Sequence, residues 1–417
     1  MAQSGIASQY KDIWLLAGVR TAFADYNGAL GAVSPIDLGI KAARAVFERS
    51  GIKPVDVDAV ITGSMAQASF DAYMLPRHIG LYSGVPQQVP ALNVQRVCGT
   101  GFELIRQAAD GITLGQGALA LCVGAESMTR NPVAAYTHRG GFRMGQVEFK
   151  DFLWEALLDP AANVTMGGTA ENLAKKYGIS RAEVDEFASV SFARAVAAQA
   201  EGFHAGETVP VVSESFDLEG YKARGIRLSS KIKEFSVDSH VRPSPVEVLA
   251  KIPPAFGGVQ TGGNSSAVVD GAAAALVGSG AYARDHGLQP LARVLGAAVV
   301  GVPPEIMGIG PAPAIRLLLE RAGLKIGDID RFEINEAFGA QCMAVERELG
   351  LDRAKLNVNG GSIAIGHPLA ATGVRLTVTL ARELARRKLR YGISSACIGG
   401  GQGIALLIEN PAFATRA

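Results

Sequence analysis

Cys98 sits in VCGTG and Cys397 opens CIGGGQG. Between them lie Asn335 in NEAFG and His367 in GHPLAATG. A thiolate is a strong nucleophile. An imidazole takes and returns protons near neutral pH. A side-chain amide holds a water or stabilises developing charge. Glycine-rich backbone after Cys397 offers N–H groups to an anion, as an oxyanion hole or as a plain tight connection. Together the set points to an enzyme that passes an acyl group through a cysteine. Read singly, Cys98 also fits a buried small hydrophobe. His367 also fits a capping or core residue, and Glu336 fits a cap on the next helix. Cys122, in LALCVGAE, and Cys342, after NEAFGAQ, read as packing.

These residues need a large scaffold. The chain has 417 residues, enough for a large core or two fused domains. Its 50 glycines, roughly twice the usual share, require many tight turns and close backbone approaches. With 40 basic and 39 acidic residues, the balance gives no sign of nucleic acid as a partner. Four cysteines in this length make no disulfide framework, so a reducing, cytoplasmic setting with free thiols is expected. The opening MAQSGIASQYKDIWLL lacks the pattern of a signal peptide, and the broken apolar runs predict no membrane span. The histidines His78, His138, His204, His240, His286 and His367 have no ligand spacing, so no metal is expected. No GxGxxG string suggests a dinucleotide.

Ile13 to Ala17, Ala59 to Thr62 and Leu119 to Gly124 read as buried strands. Asp37 to Ser50 reads as a helix stopped by Gly51. Such alternation predicts parallel or mixed sheets covered by helices. Phe102, Leu104, Ile105 and Ala109 form the apolar face of a helix whose N-terminus carries Cys98. That field favours a thiolate and a lowered pKa. Pro368 is expected in the first turn of a helix following His367. Asn335 follows the strand RFEI. Ser180 and Glu183 form a capping box ahead of another helix. GGNSSAVVDGAAAALVGS, from Gly262, reads as a loop feeding a buried helix. GIKPVDVDAVI from Gly51 and GLKIGDIDRFEI from Gly323 form a weak repeat, each after E-R-[SA]-G. The same offset carries Cys98 close to His367, which suggests a duplicated α/β unit. The expected division is 1–125 and 255–280 for the first half, 126–254 for an inserted lobe, and 281–417 for the second half.

Taken together, NEAF, GHP and CIGGGxG in this order and spacing resemble the thiolase family of acetyl-CoA acetyltransferases and 3-ketoacyl-CoA thiolases. The resemblance runs from GVRTAF at Gly18 to CIGGGQG. It implies a duplicated five-layer α/β/α/β/α fold with an inserted loop domain, and a homodimer or a tetramer built from dimers. It implies Cys98 as the acyl-accepting nucleophile and His367 as its activator. Asn335 would hold a water with His367 in one oxyanion hole. Cys397 would move the substrate's proton. The N–H groups of Cys98 and Gly399 would form a second oxyanion hole, and Ser266 would lie near coenzyme A. Acyl-CoA and free CoA would be substrates, with no separate cofactor.

The chain departs from familiar members at several positions. Thr100 follows Cys98-Gly where a serine is common, and the backbone is expected to define that turn without its hydroxyl. Thr165 stands where biosynthetic members usually carry histidine before Met-Gly. Gly258 stands in place of a frequent aspartate and Gly262 in place of a common alanine, while His240 interrupts an acidic–arginine segment. These departures favour degradation of a non-minimal 3-ketoacyl-CoA over synthesis of acetoacetyl-CoA. A condensing enzyme served by acyl-carrier protein fits less well, since such enzymes often pair one cysteine with two histidines. A silent CoA-binding subunit would bind without acylation of Cys98.

Overall fold

The computed structural model describes residues 4–65, 72–135 and 140–414. His138 lies outside them. Nine strands form one continuous mixed sheet: β1 (Ile6–Thr21), β2 (Ala59–Gly63), β3 (Ala91–Asn93), β4 (Leu119–Ser127), β5 (Val269–Ser279), β6 (Ala292–Gly301), β7 (Arg331–Ile334), β8 (Tyr391–Ile398) and β9 (Gln402–Glu409). Their spatial order is β7-β8-β9-β6-β1-β5-β4-β2-β3, and two short strands attach beside β1 and β5.

The order contains a repeat. On one side, β2 pairs parallel with β4, and β4 pairs antiparallel with β5, which joins β1. On the other, β7 pairs parallel with β8, and β8 pairs antiparallel with β9, which joins β6. The halves meet where β1 pairs antiparallel with β6.

The principal helices are α1 (Pro35–Ser50), α2 (Thr100–Thr113), α3 (Met166–Tyr177), α4 (Arg181–Ala200), α5 (Pro311–Ala322), α6 (Gly339–Leu349), α7 (Ser362–Ile365) and α8 (Leu369–Arg387). Helices α2 and α8 pack on each other between the two half-sheets; α8 touches β4 and β5 on one side and β7 and β8 on the other. Helix α1 covers the outer face of the first half, and α5 covers β6 and β9 of the second. The result is the five-layer duplicated architecture.

Strand alternation explains why the apolar runs are unbroken. In β5, Ala273, Ala275 and Val277 enter the central core, while Ala272, Ala274 and Leu276 enter the core beneath α1. A strand buried on both faces has no polar alternation to reveal it. The Ala-rich segment expected as a helix is therefore the central strand β5. Alanine favours helix intrinsically, but ladders to β1 and β4 on both edges override that preference.

Other local expectations hold. Ser34 caps α1, which ends at Gly51 with φ 71°. The Ser180–Glu183 capping box starts α4. Cys122 lies fully buried in β4, and Cys342 fully buried in α6. Within 126–254, four two-stranded sheets span Val133 to Phe235 among the described residues. Helices α3 and α4 join the scaffold's core through Leu173, Val184 and Phe187. Arg20 of β1, itself buried, pairs with Glu207 at 2.8 Å and Asp238 at 2.6 Å. Among the described residues, no helix is long and apolar enough to cross a membrane.

Candidate active site

The Cys98 turn is built by its neighbours. The Gly99 N–H donates to the Arg96 carbonyl at 2.8 Å. The Arg96 N–H donates to Thr100 Oγ1 at 2.9 Å, and that hydroxyl donates to the Val97 carbonyl at 2.7 Å. Thr100 thus closes the turn with its hydroxyl, contrary to the expectation that backbone alone defines it. Val97 has φ 43°, a left-handed conformation costly for a β-branched residue. The turn presents Cys98 immediately before α2. A Cβ on Gly99 would fall 2.5 Å from Ile398 Cδ1, so the turn lies tight against the end of β8.

That contact brings the two thiols together. The backbone N–H groups of Gly399 and of Cys98 itself face the Cys98 sulfur and favour its anion. Burial outweighs them, with a smaller push from Glu126, and the thiol is raised to about 11. The lowered pKa expected from a helix N-terminus is not found, because desolvation of the thiolate dominates. Cys397 is fully buried on β8, and burial raises it too, with a further push from Cys98. Met166 and Met307 pack around Cys397, while Met65, Met128 and Leu369 pack around Cys98.

The His367 turn precedes α8, with Pro368 as the helix cap instead of a first-turn residue. The α8 and α2 starts approach closely: a Cβ on Gly101 would lie 2.7 Å from the Ala370 carbonyl oxygen. His367 Nδ1 lies 2.6 Å from Thr372 Oγ1, and Nε2 lies 3.3 Å from Asn335 Nδ2. Burial, aided by the positive Arg375, lowers the imidazole to about 3 and keeps it neutral.

Asn335 lies at the end of β7, and its Oδ1 accepts the Ser362 hydroxyl at 2.7 Å. Glu336 accepts Ser191 Oγ at 2.7 Å, Asn357 Nδ2 at 2.8 Å and the Ile363 N–H at 3.2 Å. It therefore braces α7 against α4, and does not cap the next helix, α6. Glu126, at the end of β4, accepts Ser64 Oγ at 3.1 Å, the Met65 N–H at 3.0 Å and the Ala370 N–H at 3.1 Å. That carboxylate ties the first half to the start of α8.

Ser266 joins this group through its backbone, whose N–H donates to the Ala337 carbonyl at 3.0 Å. The adjacent Ala267 carbonyl accepts the His367 N–H at 3.0 Å. Among the departures, Thr165 caps α3 by accepting the Gly168 N–H at 3.1 Å. A Cβ on Gly258 would lie 2.0 Å from Glu171 Oε2, so an aspartate there would require Glu171 to move. A Cβ on Gly262 would meet open space. His240 Nδ1 lies 2.6 Å from Asp25 Oδ1.

The fold thus gathers Cys98, Cys397, Gly399, His367 and Asn335 where the two halves meet, with Ser266 on an adjoining loop. Sequence reasoning passed over Thr372, Ser362, Glu126 and Met166. Glu126 at the end of an apolar strand was the strongest available signal. Among the described residues, no group of three or more His, Cys, Asp or Glu side chains is arranged to hold a metal.

Comparison with known proteins adds an independent line. Residues 13–281 match the model of the thiolase N-terminal domain, and residues 288–410 that of the thiolase C-terminal domain. The human mitochondrial 3-ketoacyl-CoA thiolase is 42% identical over 406 residues, covering 96% of this chain and 99% of the relative. Beta-ketothiolase BktB of Cupriavidus necator is 42% identical over 403 residues, covering 96% of this chain and 99% of its own. The crystal structure of the human mitochondrial enzyme with CoA has a TM-score of 0.91 at 40% identity, covering 98% of this chain and all of that one. Bacillus anthracis acetyl-CoA acetyltransferase gives 0.88 at 41%, covering 96% of this chain and 99% of its own.

Proposed function

The chain belongs to the thiolase family, and on that premise we propose that it cleaves 3-ketoacyl-CoA with CoA, giving acetyl-CoA and a shortened acyl-CoA. The observation that carries this reading is the packing of the Cys98 turn against the end of β8, with Gly99 against Ile398 and Gly399 against Val97, which sets Cys397 and the Gly399 N–H group beside Cys98.

His367 takes the Cys98 proton as the sulfur attacks the keto carbon. The resulting oxyanion receives the Cys98 and Gly399 N–H groups. The bond between the α-carbon and the keto carbon then breaks, leaving the acyl group as a thioester on Cys98. The departing enolate takes a proton from Cys397 and leaves as acetyl-CoA. His367 and a water on Asn335 stabilise the enolate oxygen. CoA enters, gives its thiol proton to the Cys397 thiolate, and attacks the thioester. Cys98 leaves and recovers its proton from His367.

A raised Cys98 pKa suits this sequence. The resting thiol is protected, and the proton leaves only when a base and an electrophile are in place. CoA serves as a substrate, and no separate cofactor enters. Ser266 borders the CoA side of the site. The middle region, 126–254, acts as the loop domain between the two parts of the first half, 1–125 and 255–280, with 281–417 as the second half. Assembly is as a homodimer or a dimer of dimers, and four free cysteines fit a reducing cytoplasm.

The test is thiolysis across acetoacetyl-CoA and longer or branched 3-ketoacyl-CoAs, with Cys98→Ala as control. Turnover lost in that variant and highest beyond four carbons supports the degradative reading. A strong preference for acetoacetyl-CoA replaces it with the short-chain reaction. No turnover on any substrate overturns the assignment and leaves a CoA-binding role.

A further inference from the structure

We propose that Arg375 and Ser362 are positioning residues that fix which atom of Asn335 faces His367, and thereby which ring nitrogen of His367 carries its proton. Neither residue touches the reacting atoms in the mechanism above.

Arg375 lies on α8, beyond His367, and its side chain is buried in a helix otherwise rich in apolar contacts. Its Nη2 donates to Ser362 Oγ at 3.1 Å. A guanidinium has donors only. The Ser362 oxygen must therefore accept from Arg375, and its own proton must point elsewhere. Asn335 Oδ1 is the acceptor it meets, at 2.7 Å.

With the amide oxygen engaged by Ser362, the amide nitrogen of Asn335 faces His367 Nε2 at 3.3 Å. An amide NH2 donates and does not accept, so Nε2 must present its lone pair. The neutral ring then carries its proton on Nδ1, 2.6 Å from Thr372 Oγ1. That tautomer puts the ring's lone pair on Nε2, which can take a proton from a thiol once the long Asn335 contact yields. The opposite tautomer would offer a donor there, and His367 could not act as base through Nε2.

Arg375 is itself restrained. Glu333 lies 3.8 Å from its Nη1, and both side chains are buried. The guanidinium also lies close enough to His367 to disfavour its protonation. One buried cation thus contributes to keeping the ring neutral and to orienting its proton.

The turnover arm of the test rests on the function proposed above. The alkylation arm needs no substrate, so the two can fail separately. Cys98 alkylation by iodoacetamide at neutral pH is measured in wild type, Ser362→Ala, Asn335→Ala and the double variant, with CoA-dependent turnover alongside. Ser362→Ala frees the Asn335 amide to rotate its oxygen toward Nε2. A general base contributes about 10²–10⁴ in rate, and losing its preferred tautomer should cost roughly 10-fold. Alkylation and kcat should fall together by that factor while KM for CoA stays unchanged. In the Asn335→Ala background, Ser362→Ala should have no further effect, because residues acting through one another are not additive. Thr372→Val removes the acceptor for the Nδ1 proton and should slow alkylation in the same direction. Wild-type alkylation in Ser362→Ala, or an equal loss with and without Asn335, would overturn the proposal. An inactive wild type with the coupled alkylation pattern would overturn the functional reading and leave this one standing.

Discussion

The turn before α2 and the turn before α8 occupy matching places in the two halves, yet they present different chemistry. At the first, a strained Val97 and the Thr100 hydroxyl hold Cys98, whose sulfur faces backbone N–H groups. At the second, Gly366 at φ 108° leads into His367, and side chains occupy both ring nitrogens. The neighbouring strand ends diverge in the same way. Strand β4 ends near Glu126, a buried bracket, where β8 ends near Cys397, a buried thiol. Just beyond β2 comes Ser64, which donates to that bracket, while just beyond β7 comes Asn335, which faces His367. Duplication supplied two sets of positions at one meeting point. In the proposed mechanism the first half supplies the nucleophile and its own N–H group, while the second supplies the Gly399 N–H group and the groups that move protons.

The largest effect separating the halves should come from His367→Ala. Loss of a general base costs about 10²–10⁴ in kcat. The fold should survive, so a thermal melt near wild type with kcat reduced to that extent supports the division. A loss under 10-fold would mean the second half does not supply the base.

Glu126→Ala should act mainly on stability. It leaves the buried Met65 and Ala370 N–H groups without their acceptor, at ~2–4 kcal/mol in denaturant unfolding. An unchanged midpoint would remove Glu126 as the bracket between halves.

A smaller contrast concerns glycines. Gly101→Ala drives a methyl toward the Ala370 backbone where α2 meets α8. It should cost ~1–3 kcal/mol and also lower kcat, because the Cys98 and His367 turns both move. Gly51→Ala meets open space but a left-handed φ, and should cost ~1 kcal/mol with kcat unchanged. Equal effects on activity would argue against a rigid joint between the halves.

At neutral pH the least visible effect is a pH dependence of stability, which emerges only on acidification. Burial lowers His367 from the ordinary imidazole value of 6.5 to about 3 in the folded state. Below pH 6.5 the unfolded chain binds the proton first. The contribution is therefore fully present above that pH and is lost as pH falls toward 3. His367→Gln should flatten this part of the stability curve, measured as midpoint against pH. An unchanged slope would contradict a buried neutral imidazole.

Much of this was legible from local chemistry. The Ser180–Glu183 box and the Gly51 stop announce helix ends because their caps are made by nearby residues. The repeat at Gly51 and Gly323 pointed to two halves, and their matching strand orders explain why it survives in the sequence. The β5 segment was misread because burial on both faces removes the period-two signal, leaving alanines that look helical. Thr372 and Ser362 escaped notice because their importance comes from contacts formed only in the fold. The Cys98 field was read from one helix end, whereas its acidity is set by burial among Met65, Met128 and Leu369.

The most direct test is to mix the enzyme with a 3-ketoacyl-CoA in the absence of CoA, quench in acid, and locate the added mass by peptide mapping. The account predicts the acyl group, as a thioester, on the peptide containing Cys98, and its disappearance when CoA is added before quenching. An acyl group on Cys397, or an enzyme that turns over with no acylated cysteine, would contradict it.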